Sequence, residues 1–325
     1  MLKKIAKRLK KAEHIAIFTH QNPDGDALGS SFAVKYALES IGKRATIYLE
    51  KPMHEKFNFL GTDYEIADEN TESNADCAIV LDCGEYSRLG NTAETCKKIP
   101  ELLCVDHHKT GETFGKFYYN EPDAAATAQI VYKLVNLITK NVSQKAYEAI
   151  YTGMSTDTGH FKFSNVNPET FRIAAKVLES GINHRKITTI IYDTVKREKM
   201  MFLGAATERV QFFHDGKIAL LDCPSEFLKE YGLTYDDVDE LPNIPLNLEG
   251  VLVSVLVKDR DENSKRVSLR TKDVIDVSEV AQKFSGGGHK SAAACVISGD
   301  IAQNIRNLVD TIIEKLTFGL GEKDV

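Results

Sequence analysis

Three histidines and five aspartates stand in four short clusters, far apart in a chain of 325 residues. His20-Gln21-Asn22-Pro23-Asp24-Gly25-Asp26 follows the apolar run HIAIF. Asp82 follows CAIVL, Asp106-His107-His108 follows LLCV, and Asp157 lies in GMSTDTG. Carboxylate oxygen and imidazole nitrogen are ligands for hard and borderline divalent cations, and six such groups together are the inventory of a two-metal hydrolase. Each cluster reads as closing a β-strand, although the run before Asp157 also fits a helix pattern. In an open parallel α/β sheet the strand C-termini point into one crevice, so residues distant in sequence meet there.

Each cluster also has a plainer reading. Pro-Asp-Gly is a common turn, and an Asp beside it often caps a helix. In the metal reading, Gly25 relieves crowding so that Asp24 and Asp26 both face the strand end. Two bare carboxylates so placed repel, and one takes up a proton unless a cation intervenes. Asp82 alone reads as a cap or loop residue, and Asp157 alone as an N-cap or Asx turn. Asp106-His107-His108 is sharper. The chain has only nine histidines, and two adjacent ones directly after an aspartate argue against chance. Adjacent side chains diverge, so one faces a metal and the other a substrate phosphate or a leaving group. Downstream, the glycines of Ser285-Gly286-Gly287-Gly288-His289-Lys290 could expose backbone N–H groups to a phosphate, although a Gly run is also a flexible turn. Arg270 could grip a phosphate in two-point fashion or stack on a base.

The elements that must position these residues follow from periodicity. HIAIFTH, ATIYLE, CAIVLDC and LLCVDHH read as strands, and DALGSSFAVKYALESIG as a helix stopped by Gly42. That βαβ rhythm implies a parallel sheet with flanking helices. From Asp123 to about Met200 the pattern is helical, with Asn167 as N-cap, Pro168 at N1 and Gly181 closing one helix. KREKMMFLGAATERVQFF reads as a helix leaving the first domain. GKIALLDC, GVLVSVLVKD, KRVSLRT and AAACVISG read as strands, and a last helix runs from about Ile301 to Phe318.

Bulk properties narrow the class. Hydrophobic content of 42% and charged content of 27% are ordinary for a globular protein. A net charge of −6 opposes a long electrostatic footprint on duplex nucleic acid. The six cysteines form no C-x-x-C pair and no disulfide framework, so a reducing cytoplasm is the expected compartment. No apolar run approaches the ~20 residues of a membrane span. The basic N-terminus, with Leu2, Ile5 and Leu9 at helical spacing, reads as a first helix packed on the domain.

Taken together these residues resemble the DHH phosphoesterase superfamily, named for the Asp-His-His found here at 106–108. HxxPDGDxxGS at 20–30, the lone Asp82, DHH at 106 and TDTG at 156 occur in the family's order, and GGGH at 286–289 is similar to the companion DHHA1 domain. The resemblance covers essentially the whole chain. Within the superfamily it is to the NrnA-type enzymes, bifunctional oligoribonucleases and 3'-phosphoadenosine 5'-phosphate (pAp) phosphatases.

The resemblance implies an α/β fold. A parallel-sheet DHH domain would occupy 1–193, a connecting helix 194–215 and a smaller α/β DHHA1 domain 216–325, with a cleft between them for a few nucleotides. It implies two Mn²⁺, with Mg²⁺ or Co²⁺ as substitutes. One would take His20, Asp24 and Asp82, and the other Asp26, Asp82, His107 and Asp157, with Asp82 bridging. His108 would stabilise developing charge, and Asp106 would orient a ligating histidine. Arg270, Gly286, Gly287, Gly288 and His289 would bind the nucleotide. The implied activity is hydrolysis of short RNA such as pApA or pGpG to mononucleotides and of pAp to AMP, with cyclic di-AMP cleavage as the alternative. A homodimer is compatible with it. Ser285 and Thr271 depart from the family's usual glycine and serine and bear on substrate preference. A family II pyrophosphatase would carry a basic C-terminal cluster that is absent. A RecJ-like enzyme for long strands is opposed by length and charge. A non-catalytic sensor would have lost a ligand, whereas all six positions are filled.

Overall fold

The computed structural model describes residues 1–108, 111–238, 240–272 and 274–321. Two compact units divide the chain, Met1–Thr194 and Val195–Val325.

The first unit carries β1 (His14–Phe18), β2 (Arg44–Leu49), β3 (Glu65–Ile66), β4 (Cys77–Leu81), β5 (Leu102–Asp106) and β6 (Phe117–Asn120). They form one sheet in the order β3-β2-β1-β4-β5-β6, every pair parallel. The order runs outward in opposite directions from β1 and β4, which makes the gap between their C-termini the topological switch point. Its central strands are apolar on both faces, as a sheet covered on both sides requires. Ile15, Ile17, Ile79 and Leu81 enter the larger core, whereas Ala16, Phe18, Ala78 and Val80 enter a second one on the other face.

The helices are α1 (Leu2–Lys11), α2 (Gly25–Glu39), α3 (Thr92–Lys97), α4 (Thr127–Ile138), α5 (Gln144–Asp157), α6 (Pro168–Glu179) and α7 (His184–Thr188). In α1 the stripe Leu2, Ile5, Ala6 and Leu9 is buried, so the first helix packs on the domain as its spacing predicts. α2 is buried almost all round. Residues Asn167 and Thr170 form a reciprocal capping box at the start of α6, with Pro168 at N1.

In the second unit α8 (Arg197–Glu208) is followed by β7 (Gln211–Phe213), β8 (Ile218–Cys223), α9 (Ser225–Lys229), β9 (Val253–Asp261), β10 (Ser264–Thr271), α10 (Val277–Lys283), β11 (Gly287–His289), β12 (Ala292–Ser298) and α11 (Ile301–Gly321). The expected helix through VQFF therefore stops at Glu208, and Gln211–Phe213 pairs with β8 instead. The sheet order is β11-β12-β10-β9-β8-β7, mixed, with only β8 and β9 parallel. One face packs on α10 and α11 through Val267, Leu269, Ala293 and Cys295. All six cysteines are buried and unbridged.

Candidate metal centre

Three of the four clusters sit at the C-terminal ends of adjacent strands. His20 lies two residues beyond β1, Asp82 follows β4, and Asp106 ends β5 with His107 and His108 after it. Asp82 turns the chain sharply, with φ of 56°. Aspartate tolerates this left-handed region better than most residues, but the conformation still costs on the order of 1 kcal/mol or more. Its amide donates to Val105 O at 3.1 Å, and its Oδ1 accepts from Thr127 Oγ1 at 2.9 Å.

Asp157 departs from the expectation that each cluster closes a strand. It is the last residue of α5. A carboxylate at a helix C-terminus meets the negative end of the helix dipole and is unfavourable there without a cation. What brings it to the sheet is close packing of α5 on α2. A Cβ on Gly25 would lie 2.5 Å from the Thr156 side chain, and one on Gly153 would lie 2.7 Å from Asp26 Oδ1. Gly25 thus serves helix approach rather than the turn expected of it.

The two carboxylates around Gly25 are held differently. Asp24 is the N-cap of α2, its Oδ1 accepting from the amides of Asp26 and Ala27 at 2.9 and 3.0 Å. Asp26, almost wholly buried, accepts from the amides of Thr127 and Ala128 at 2.6 and 2.8 Å. Those amides are the free N–H groups opening α4, which compensate part of its charge.

His107 sits among three carboxylates. Its Nε2 is 3.5 Å from Asp157, 3.6 Å from Asp82 and 4.0 Å from Asp26. Its Nδ1 lies 3.1 Å from Ala124 O, which can only accept, so Nδ1 carries a hydrogen and Nε2 faces the acids. Burial pulls the imidazolium down, but Asp26, Asp82 and Asp157 outweigh it and carry His107 to about 9. Burial and mutual repulsion raise Asp26 and Asp157 to about 7, and Asp82 well above the ordinary carboxylate value. Burial, helped by the Arg88 charge, drops His20 to about 4 despite nearby Asp24. These groups are mutually frustrated without a counter-charge. Three sets of donor atoms converge within 4.8 Å: His20, Asp24 and Asp82; Asp82, His107 and His108; Asp26, His107 and Asp157. The hard oxygen and imidazole chemistry of these sets fits a manganese- or magnesium-type cation.

Asp106 is placed otherwise than expected. Its Oδ1 accepts from His108 Nδ1 at 2.7 Å, so it orients His108 and not His107, which Ala124 O orients. Burial pushes the Asp106 carboxyl up, yet the bond and charge of His108 and the amides of residues 107 and 108 bring it below the ordinary value. Asn120 Nδ2 also holds the His108 carbonyl at 2.9 Å. Sequence reasoning missed Thr127, Ala124 and Asn120. The small-residue run before α4, Ala124-Ala125-Ala126, was their one available signal.

In the second unit the glycines do not form a free loop. Gly287–His289 is the edge strand β11, paired with β12. A Cβ on Gly286 would strike Ala294 O, and Gly288, at φ 146°, would place one 2.5 Å from Ala292 O. Close backbone approach by itself accounts for Gly286 and Gly288, whereas a Cβ on Gly287 would meet nothing within 4 Å. His289 and Arg270 both pair with Ala292 from opposite sides. Their side chains therefore share one sheet face, roughly 10 Å apart across Ala292. Burial and the neighbouring Arg266 lower the Arg270 guanidinium.

Residues 14–154 match the DHH family, N-terminal domain, and residues 215–317 match the DHHA1 domain. The bifunctional oligoribonuclease and PAP phosphatase NrnA of Thermus thermophilus is 31% identical over 96% of this chain and 94% of its own length. An exopolyphosphatase-related protein from Bacteroides fragilis has a similar fold, with TM-score 0.88 and 24% identity over 97% of this chain and 95% of its own. RecJ from Thermus thermophilus, solved with Mn²⁺, shares the fold at TM-score 0.56 and 13% identity over 96% of this chain and 54% of its own. No helix among the described residues is long and apolar enough to cross a membrane. With both domains matched in order and a relative alike along nearly its whole length, the chain belongs to the DHH family of phosphoesterases, with a DHHA1 domain after the catalytic one.

Proposed function

We propose that the chain is a manganese-dependent hydrolase of short oligoribonucleotides and of pAp, acting through two cations. One cation would be held by His20, Asp24 and Asp82, and the other by Asp26, Asp82, His107 and Asp157. The observation that carries this reading is Asp82, buried at a strand end in a left-handed turn and common to two of the three donor sets. When bound, such a pair neutralises phosphate charge and supplies a nucleophile near neutral pH. The protein's own groups do the rest. Helix amides and Thr127 fix the carboxylates, Ala124 O fixes the His107 tautomer, and Asp106 aims His108 at the phosphate side.

The substrate class comes from the relative of Thermus thermophilus, named an oligoribonuclease and PAP phosphatase. We assign substrate selection to the second unit, where Arg270 and His289 share a face suited to a phosphate and a base. The test is a manganese-supplemented assay against pAp, pApA, pGpG, a longer oligoribonucleotide, cyclic di-AMP and pyrophosphate at matched concentration. Hydrolysis of pAp and the dinucleotides is expected, and loss of all activity in Asp82→Ala. Turnover of pyrophosphate alone would refute the substrate class, and manganese-dependent turnover by the variant would refute the site.

A further inference from the structure

The short helical turn Tyr86–Leu89 follows β4 and carries Arg88. The Arg88 guanidinium Nη1 lies 3.5 Å from His108 Nε2. The opposite ring nitrogen of His108 is held by Asp106. Three groups thus stand in line, Asp106, His108 and Arg88, with the cation at the outer, half-exposed end. Among the described residues no carboxylate pairs with Arg88, although carboxylates crowd the other side of His108. The turn itself is pinned to the first cluster through the main chain, since Gln21 N donates to Arg88 O at 2.7 Å. Gly90 keeps this docking close: a Cβ there, already at φ 58°, would lie 2.9 Å from Gln21 Cβ and 2.7 Å from Glu50 Oε1. Asn91 N also donates to Glu50 Oε1 at 2.9 Å. The backbone around Arg88 is therefore fixed at both sides, and its side chain is left unneutralised beside His108.

A fixed guanidinium without an acid is suited to a dianionic or monoanionic phosphate, which it can meet with two parallel N–H bonds. We infer that Arg88 is a catalytic residue that grips non-bridging oxygens of the scissile phosphate together with His108. The inference rests on the proposed phosphoester chemistry and names a group within it. The competing role is structural: Arg88 would only hold the His108 ring in place.

The two roles separate in a double-mutant cycle on the manganese-loaded protein with pAp as substrate. Arg88→Ala is expected to lower kcat/KM by about 10- to 100-fold, the scale of a lost charge-assisted bond, and Arg88→Lys to recover part of it. In a His108→Ala background Arg88→Ala should still cost about tenfold. If it becomes silent there, Arg88 acts only through His108 and the inference is overturned. A second arm needs no turnover. Titration of manganese-loaded protein with inorganic phosphate should show affinity about tenfold weaker in Arg88→Ala, with manganese affinity unchanged. Equal phosphate affinity would overturn the inference as well. Because the turn is anchored to Gln21 through the Arg88 main-chain carbonyl and not its side chain, the variant keeps that anchor. If the wild type hydrolyses none of the substrates, the functional reading fails, and the phosphate titration still decides the role of Arg88.

Discussion

Asp106 and Asp26 are both buried aspartates, yet their surroundings move them in opposite directions. Asp106 receives His108 and falls below the ordinary carboxylate value, whereas burial and the charge of Asp157 raise Asp26 to about 7. The difference assigns them different work: Asp106 stays an anion that orients an imidazole, and Asp26 needs a partner to be one. Asp106→Asn should therefore lower kcat about 10- to 100-fold while leaving manganese affinity within about twofold, read by steady-state kinetics and by metal titration. The raised groups also set a pH dependence. Without metal, the native state holds protons on Asp26, Asp157 and Asp82 that the unfolded chain has released, so their contribution to stability is lost as pH rises through about 7. His107, raised to about 9, adds stability below its unfolded value that is lost as pH rises through 9. His20, lowered to about 4, acts in the opposite sense between about 4 and 6.5, so the clean window lies above 6.5. Metal-free protein should melt at lower temperature at pH 8.5 than at pH 6.5, and Mn²⁺ should raise the melting temperature more at pH 8.5. An equal manganese shift at both pH values would contradict this origin.

Helices position what the strands cannot. Asp157 reaches the centre because α5 lies on α2 at glycine distance, and Asp26 is held by the opening amides of α4. Gly153→Ala tests this packing. Helix propensity alone favours alanine by about 1 kcal/mol. Against it stands a methyl 2.6 Å from Ala128 Cβ and 2.7 Å from Asp26 Oδ1, and overpacking of this kind costs about 1–3 kcal/mol. The contact should win, giving net destabilisation in urea unfolding and about tenfold weaker manganese binding. Net stabilisation with unchanged metal affinity would show that α2 and α5 can separate freely. Several elements were legible in the sequence for simple reasons. HIAIF, CAIVL and LLCVD are apolar on both faces and bounded by polar residues, and the cap Asn167-Pro168 is a local signal. β6 was not legible, because FYYN is a half-buried edge strand of four residues without alternation. β11 was not, because three residues rich in glycine carry no strand propensity and pair only because β12 accepts them.

At the scale of the whole molecule, two units have separate cores, and every proposed metal ligand belongs to the first. Calorimetry with and without Mn²⁺ should therefore resolve a metal-sensitive transition and a metal-insensitive one, with chelation lowering only the former. A single transition shifting as one would show that the units unfold together. The sequence by itself determined the donor types, their order, the strands that present three of the four clusters, and the family, because these depend on local pattern and on motif spacing. Tertiary structure decided which donors share a neighbour. It put Asp157 at a helix end beside the sheet, made Asp106 the partner of His108, turned the glycine loop into a sheet edge, and set Arg88 beside the histidine. The reason is physical: a ligand's identity is written in one residue, but its partner is fixed by packing between elements that are far apart in the chain.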